Sequence, residues 1–330
     1  METDCRYKLS YSAFAVLLGI TMLLTSCFKE DDPVVLPPPG DAEIFQVSQG
    51  ENYHRQQYFD LGTTDTLGSE HSAWDLCFEA GSEGWHIWLN GSNLALIANT
   101  DTQNFDAVKD TVAASWKWDE ASWNVDSTAV GDWRPDRMVY ILDRGPDKSS
   151  GDRFRKIIFQ SVDEATYELQ YAELDGSNER TFTIPKNDAY SFVYFTFDNS
   201  GLILDIEPDK QRWDLLFTRY RYIFYDQNPP LPYLVTGILI NPEIGVAIDS
   251  ISGFAEINYE KALTYSYSSK RDVIGFDWKY FDFDNQAYVV KHQINYIIRD
   301  MEGVYWKLHF IDFYNQQGEK GYPQFEFQRL

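Results

Sequence analysis

Histidine, cysteine and methionine are scarce in this chain, and positive charge is heavily outnumbered. The 330 residues hold five His, three Cys and four Met. Lys and Arg total 28 against 51 Asp and Glu, a formal net charge of −23. A surface this acidic repels phosphate backbones, which excludes nucleic acid as a partner. No G-x-S-x-G elbow, H-E-x-x-H, C-x-x-C, P-loop or G-x-G-x-x-G is present, so no enzyme and no metal centre is expected. Carboxylates abound, but no spacing singles out a catalytic pair. The apolar run Ala13–Leu24 has 12 residues, short of the roughly 20 that a spanning helix needs.

That run belongs to a leader. Arg6 and Lys8 precede it and L-T-S-C, ending at Cys27, follows it, in the order of a bacterial lipoprotein signal. The expectation is a signal peptide over 1–26, removed before folding, with Cys27 acylated by lipid such as palmitate. Residues 27–42 then read as a flexible tether, because K-E-D-D and the run Pro37–Pro39 favour an extended chain over a packed element. This places the protein in the outer membrane, lipid-anchored and on the cell surface, with the membrane touched only through the lipid. Cys5 leaves with the leader and Cys27 takes lipid, so Cys77 stands alone. It sits in an alternating apolar run and reads as a buried, inert thiol.

Aromatics are plentiful, at 16% of the chain, and favour pleated, half-buried strands. W-D-L-C-F (74–78) and W-D-L-L-F (213–217) are nearly the same pentamer. In a strand, Trp74, Leu76 and Phe78 share one face, as do Trp213, Leu215 and Phe217. The neighbours repeat too. Y-F-D-L (58–61) answers Y-F-T-F (194–197), and strands ending at Asn90 and Asn241 answer each other. Further on, Trp133 answers Trp278, Y-I-L-D-R-G (140–145) answers Y-I-I-R-D-M-E-G (296–303), and F-R-K-I-I-F (154–159) answers Y-W-K-L-H-F (305–310). The order predicts two tandem antiparallel β domains, copy one over 43–186 and copy two over 187–330, each closing its own core. Turn signals at 175–178, 198–201, 228–232 and 315–318 punctuate them, and Gln103–Ala114 is the one short helix expected.

The unit resembles the HmuY-like lipoproteins, haem-binding proteins of Gram-negative cell surfaces. The resemblance rests on Y-F-D-L, W-D-L-x-F, strands ending in L-N or I-N, and above all Y-I-I-R-D-M-E-G-V-Y-W-K-L-H-F-I-D-F-Y (296–314) with G-E-K-G-Y (318–322). It implies a mainly β, sandwich-type fold. It also implies capture of haem or a porphyrin, or of a haemoprotein, and transfer to an outer-membrane transporter. Family members hold haem near the W-D strand, where Glu79 and Thr218 stand here just after the pentamers. Neither is a good iron ligand, so the candidate ligands are His86, which shares a strand face with Trp88, and His71, just before Trp74. Either is alternatively a hydrogen-bonded or solvent-facing imidazole. Arg219 and Arg221 in T-R-Y-R-Y are candidates for the haem propionates, or else the polar face of a strand. A different class of function is a surface adhesin or glycan- or protein-binding module that has lost haem binding. It would use Trp116 and Trp118, set at i and i+2, as a stacking platform.

Overall fold

The computed structural model describes residues 38–330. The leader and the lipid attachment expected at Cys27 lie outside the described residues. Residues 39–330 form one compact unit. Its strands, in chain order, begin with β1 (Glu43–Gln46), β2 (Arg55–Phe59), β3 (Thr66–Glu70), β4 (Leu76–Glu79), β5 (Ile87–Leu89), β6 (Leu96–Asn99), β7 (Tyr140–Asp143), β8 (Phe154–Val162), β9 (Thr166–Ala172) and β10 (Arg180–Pro185). They continue with β11 (Phe192–Thr196), β12 (Leu202–Leu204), β13 (Leu215–Phe224), β14 (Leu231–Ile240), β15 (Gly245–Asp249), β16 (Lys279–Asp282), β17 (Ala287–Val290), β18 (Asn295–Arg299), β19 (Tyr305–Tyr314) and β20 (Lys320–Arg329). The fold is mainly antiparallel β, as the alternating runs predict.

Two five-stranded sheets, β10-β9-β8-β7-β6 and β1-β20-β19-β18-β15, face two four-stranded sheets, β12-β11-β4-β5 and β14-β13-β2-β3. The four-stranded sheets are the informative ones, because strand pairing crosses residue 187 in both. Strand β11 pairs with β4, placing Phe195 opposite Leu76. Strand β13 pairs with β2, placing Leu215 opposite Phe59. Each core therefore takes side chains from beyond that position. Val193, Phe195 and Phe197 pack with Leu76, Phe78, Trp133 and Phe159. Val47, Phe59 and Leu61 pack with Leu215, Phe217, Trp278 and Phe310.

Recurring residues make recurring contacts. Asp75 Oδ2 accepts from the Phe197 amide at 2.8 Å, and Asp214 Oδ2 accepts from the Leu61 amide at 2.8 Å. Asn90 Nδ2 donates to the Trp74 carbonyl, and Asn241 Nδ2 to the Trp213 carbonyl. The buried ammonium of Lys156 donates to the Phe105 and Val108 carbonyls, and that of Lys307 to the Phe254 and Ile257 carbonyls. At the centre the Tyr58 and Tyr194 hydroxyls hydrogen-bond to each other at 3.0 Å, fully buried.

Two local expectations differ from the structure. Trp74 and Trp213 do not share a face with the Leu and Phe of their pentamers. Both precede their strands, where the Asp that follows is tied to a neighbouring backbone amide, so the period-two alternation starts one step later. Each indole packs edge-on against a central tyrosine instead, Trp74 on Tyr194 at 5.0 Å and Trp213 on Tyr58 at 4.8 Å. Gln103–Ala114 holds only a 3-10 turn, Phe105–Ala107, because the chain leaves helical geometry at the β-branched Val108, whose carbonyl Lys156 ties down. Among the described residues the α-helix is Tyr259–Ala262, capped by the Asn258 side chain. Cys77 is fully buried, and burial pushes its thiol well above the ordinary range.

Two outcomes follow from this architecture. Residues 39–186 alone leave β4 without β11 and expose Leu76 and Phe78. The fragments 39–186 and 187–330 are therefore expected to be unfolded apart and to regain β circular dichroism on mixing; independent folding of either one contradicts the crossed pairing. The second outcome concerns pH. Burial pushes Asp214 up to about 7, with Asp300 and Asp60 adding like charge. Its contribution to stability is full below the unfolded value of 3.8 and is lost as pH rises through about 7. Asp214→Asn is expected to lessen the fall in urea-unfolding stability between pH 4 and 8 by roughly 2–4 kcal/mol. Parallel pH profiles for the two proteins would count against a protonated Asp214.

Candidate functional site

Strands β13 and β14 pair over their whole length, from Leu215 opposite Ile240 to Phe224 opposite Leu231. Strand β2 covers β13 only over Leu215–Phe217. The outer part of the β13–β14 hairpin thus projects past its sheet. Facing it is a separate two-stranded ribbon, β16–β17. A close backbone approach holds the two walls together, since Ile238 and Gly275 exchange both amide–carbonyl bonds at 2.9 and 3.1 Å. Gly237 permits this, because a Cβ there would stand 2.6 Å from the Gly275 carbonyl oxygen.

Between the walls lies a groove of about 580 Å³. That is within the ~300–1,000 Å³ typical of small-molecule sites. Its sides are aromatic and aliphatic, including Phe224, Tyr233, Phe276, Phe281, Phe283 and Tyr288. Phe281 touches both Phe283 and Tyr288 at 5.1 Å between ring centroids. The rim is open, with Phe283 78% and Tyr233 58% exposed. Apolar rings left in water at this density mark a binding surface.

Three cations line the groove: Arg219 and Lys291, both half-buried, and Lys279, which is buried. Lys279 Nζ donates to the Thr236 carbonyl at 2.7 Å and lies 4.3 Å from the Trp278 ring centroid. Burial lowers its pKa to about 7, against a weaker pull upward from Asp277. The ammonium is therefore about half-charged at neutral pH and regains full charge when an anion approaches. Tyr53 also lines the groove, and burial raises the pKa of its hydroxyl, so this phenol stays neutral. The groove can take a flat apolar ligand that carries negative groups.

The HmuY protein family matches residues 52–327 as a single span across both halves. The chain belongs to the HmuY family. Solved structures similar to it include apo PinO from Porphyromonas gingivitis, at 10% identity and a TM-score of 0.35, covering 88% of this chain and 97% of that one. The apo HmuY analogue TFO of Tannerella forsythia is similar at 10% identity and a TM-score of 0.26, covering 89% and 98%. No curated protein matches the chain.

Within this HmuY-family fold the residues singled out from sequence scatter. Arg219 lines the groove. Arg221 instead turns into the interior, donates to the Ala95 carbonyl at 2.9 Å, and is held by burial at a pKa of about 10. His86 stacks on Trp85 and shares a 2.7 Å hydrogen bond with Glu79. His71 is buried against Ser92 Oγ at 3.0 Å, and burial lowers its pKa to about 4, so it is neutral. Neither imidazole lines the groove. Trp116 is half-buried against Phe154, while Trp118 is 38% exposed and bonded to Glu120. Among the described residues no cluster of His, Cys, Asp and Glu could hold a metal ion. Sequence reading missed Phe276, Phe281, Phe283 and Tyr233. The available signal was the aromatic density of 276–288 beside a T-R-Y-R-Y-I-F-Y strand much longer than its counterpart β4.

The depressed Lys279 has a measurable consequence. Its contribution to stability is full above the unfolded value of 10.5 and is lost as pH falls through about 7. Lys279→Met is expected to reduce the loss of urea-unfolding stability between pH 10 and 6 by roughly 2–4 kcal/mol. An unchanged pH profile in the variant would place that titration elsewhere.

Proposed function

We propose that this HmuY-family chain is a surface lipoprotein, anchored through Cys27, that captures haem or a related porphyrin. The ligand lies in the groove between β13–β14 and β16–β17 and is passed on to an outer-membrane transporter. The observation that carries this reading is the groove itself, which sets aromatic walls around three cations in a chain of net charge −23. A porphyrin needs those two features together: flat apolar faces to stack on, and local positive charge for its propionates. Each aromatic contact adds about 0.5–1.5 kcal/mol beyond area burial. Arg219, Lys291 and Lys279 offset the repulsion of the acidic surface.

Iron plays a small part in this reading. Neither His71 nor His86 lines the groove, and the Tyr53 phenol is held neutral. Affinity then resides in the macrocycle and its carboxylates. The matched contacts of Asp75 and Asp214, Asn90 and Asn241, and Lys156 and Lys307 further support two copies of one unit that exchange their first hairpins. On this reading copy two, 187–330, builds the groove, with Tyr53 contributed from the first half. The glycan alternative asks for two open indoles, and only Trp118 is exposed.

Titration of the purified protein with haem and with metal-free protoporphyrin IX tests the proposal. Both are expected to give a saturable Soret change with affinities within about ten-fold of each other. Tyr233→Ala with Phe283→Ala should weaken both by about ten-fold or more, and His71→Ala and His86→Ala should leave the spectra unchanged. Absence of a saturable change at equimolar haem rejects the function. Loss of haem binding alone in His86→Ala moves the site to that imidazole.

A further inference from the structure

A second pocket, of about 230 Å³, lies beside Arg271 and is walled by Trp88, Trp123, Tyr190 and Phe192. Arg271 is 3% exposed, yet none of its Nε, Nη1 and Nη2 atoms has a hydrogen-bond partner. Its guanidinium carbon stands over three rings, 4.5 Å from the centroid of Trp123, 5.2 Å from Phe192 and 5.6 Å from Trp213. Ring faces stabilise a cation but satisfy none of its N–H donors. Trp88 Nε1 and Ser191 Oγ, on the same pocket wall, are also buried without partners. A buried guanidinium cannot shed its proton, and leaving it unpaired is strongly unfavourable.

Nearby carboxylates do not fill the role. Glu207 is buried as well, but burial pushes it up to about 8, so it is mostly protonated at neutral pH. Its Oε1 accepts from the Ser191 amide at 3.0 Å, and its Oε2, like the Arg271 nitrogens, is buried with no hydrogen-bond partner, so the two side chains do not satisfy each other. At the mouth, Glu243 pairs with Lys210 at 3.1 Å and Glu79 bonds His86 at 2.7 Å. Unpartnered donors around the pocket, on Arg271, Trp88 and Ser191, therefore outnumber the one unpartnered carboxyl oxygen, Glu207 Oε2. Its body is flat and apolar, with Trp88 and Trp123 stacked 11° from parallel at 5.2 Å. The volume is below the ~300 Å³ lower bound of drug-sized sites, so it suits a small molecule and excludes a porphyrin.

We propose that this pocket is a second ligand site for a small carboxylate with a flat apolar body. Its carboxylate takes the fork of Arg271, with Trp88 Nε1 and Ser191 Oγ completing the donor set, and its body lies against the two indoles. Arg presents parallel N–H donors that match a carboxylate, which Lys does not.

Calorimetric titration of the purified protein with phenylacetate, indole-3-acetate and hexanoate, each beside its neutral amide, tests this. At least one acid is expected to bind at one site, with the amide at least about ten-fold weaker. Arg271→Lys and Arg271→Met should weaken that acid about ten-fold or more, and Trp88→Phe, which keeps a ring and loses the N–H, a few-fold. Phe283→Ala in the porphyrin groove should leave it unchanged, which separates this site from the first. If the Arg271 variants lose their β circular dichroism, the acid–amide difference and Trp88→Phe decide. No saturable heat with any acid up to about 10 mM, equal binding of acid and amide, or full affinity in folded Arg271→Lys overturns the proposal.

Discussion

The backbone ladder between β4 and β11, and its counterpart between β13 and β2, is the constraint on which the rest of the molecule depends. Each joins strands from opposite sides of residue 187, and each is locked at one end by an aspartate that accepts a backbone amide of the incoming hairpin. A single buried hydrogen bond is worth only about 1 kcal/mol net. Here the bonds set which apolar side chains enter which core. Phe195 and Phe197 fill one interior, and Phe59 and Leu61 fill the other. The hydrophobic term is the larger one, and the ladder directs it. A slip of one residue would turn these phenylalanines to the opposite face.

The two aspartates show how like frameworks acquire unlike electrostatics. Asp75 receives a bidentate pair from the buried Arg144, at 2.9 and 2.8 Å. The position answering Arg144 in the later half is Asp300, so Asp214 has no such cation and stands near further acids. One carboxylate is met by a buried guanidinium, and the other, pushed up by burial to about 7, keeps its place as a proton-bearing group. A comparable difference makes the groove. The first pentamer continues into a four-residue strand, and the second into a ten-residue strand that outruns its neighbour. The extra length, together with the 276–288 ribbon, is the difference between a filled sheet end and an open aromatic cleft.

Much of the framework was legible in sequence because it rests on short-range rules. The alternation of Leu and Phe after each W-D step, the turn residues between runs and the recurrence of Asn and Lys at matching places all carry local physical meaning. The crossing of hairpins was not legible. Phe59 and Phe195 are equally good partners for either pentamer by pattern alone, and only three-dimensional closure distinguishes them. The site was harder still. Phe281 and Phe283 alternate with Asp282 and Asp284, which reads as an ordinary strand with one wet face. In the fold their ribbon stands apart from the main sheets, so that the aromatic face turns to a groove instead of a core. His71 and His86 drew attention because imidazole is a versatile ligand, yet each is spent on a neighbour, Ser92 and Glu79.

The buried cations show how an acidic protein can recognise anions. At −23, long-range attraction is unavailable, and exposed lysines would be neutralised by surrounding carboxylates and screened within about 8 Å at physiological salt. Lys279 and Arg271 avoid both effects by sitting among rings. There the effective dielectric constant is low, few acids approach (Asp277 beside Lys279, and Glu207 near Arg271, which burial pushes up to about 8), and any anion that enters meets a stronger field than the surface offers. The two differ in how they carry that charge. Lysine yields its proton when desolvated, so Lys279 rests near half-charge and becomes fully charged on demand. Arginine cannot do this, so Arg271 remains a permanent cation whose donors lack acceptors until something supplies them. Aromatic enclosure thus does two jobs with the same residues: it forms the apolar bed for a flat ligand, and it keeps the counter-charge away from the acids that outnumber it.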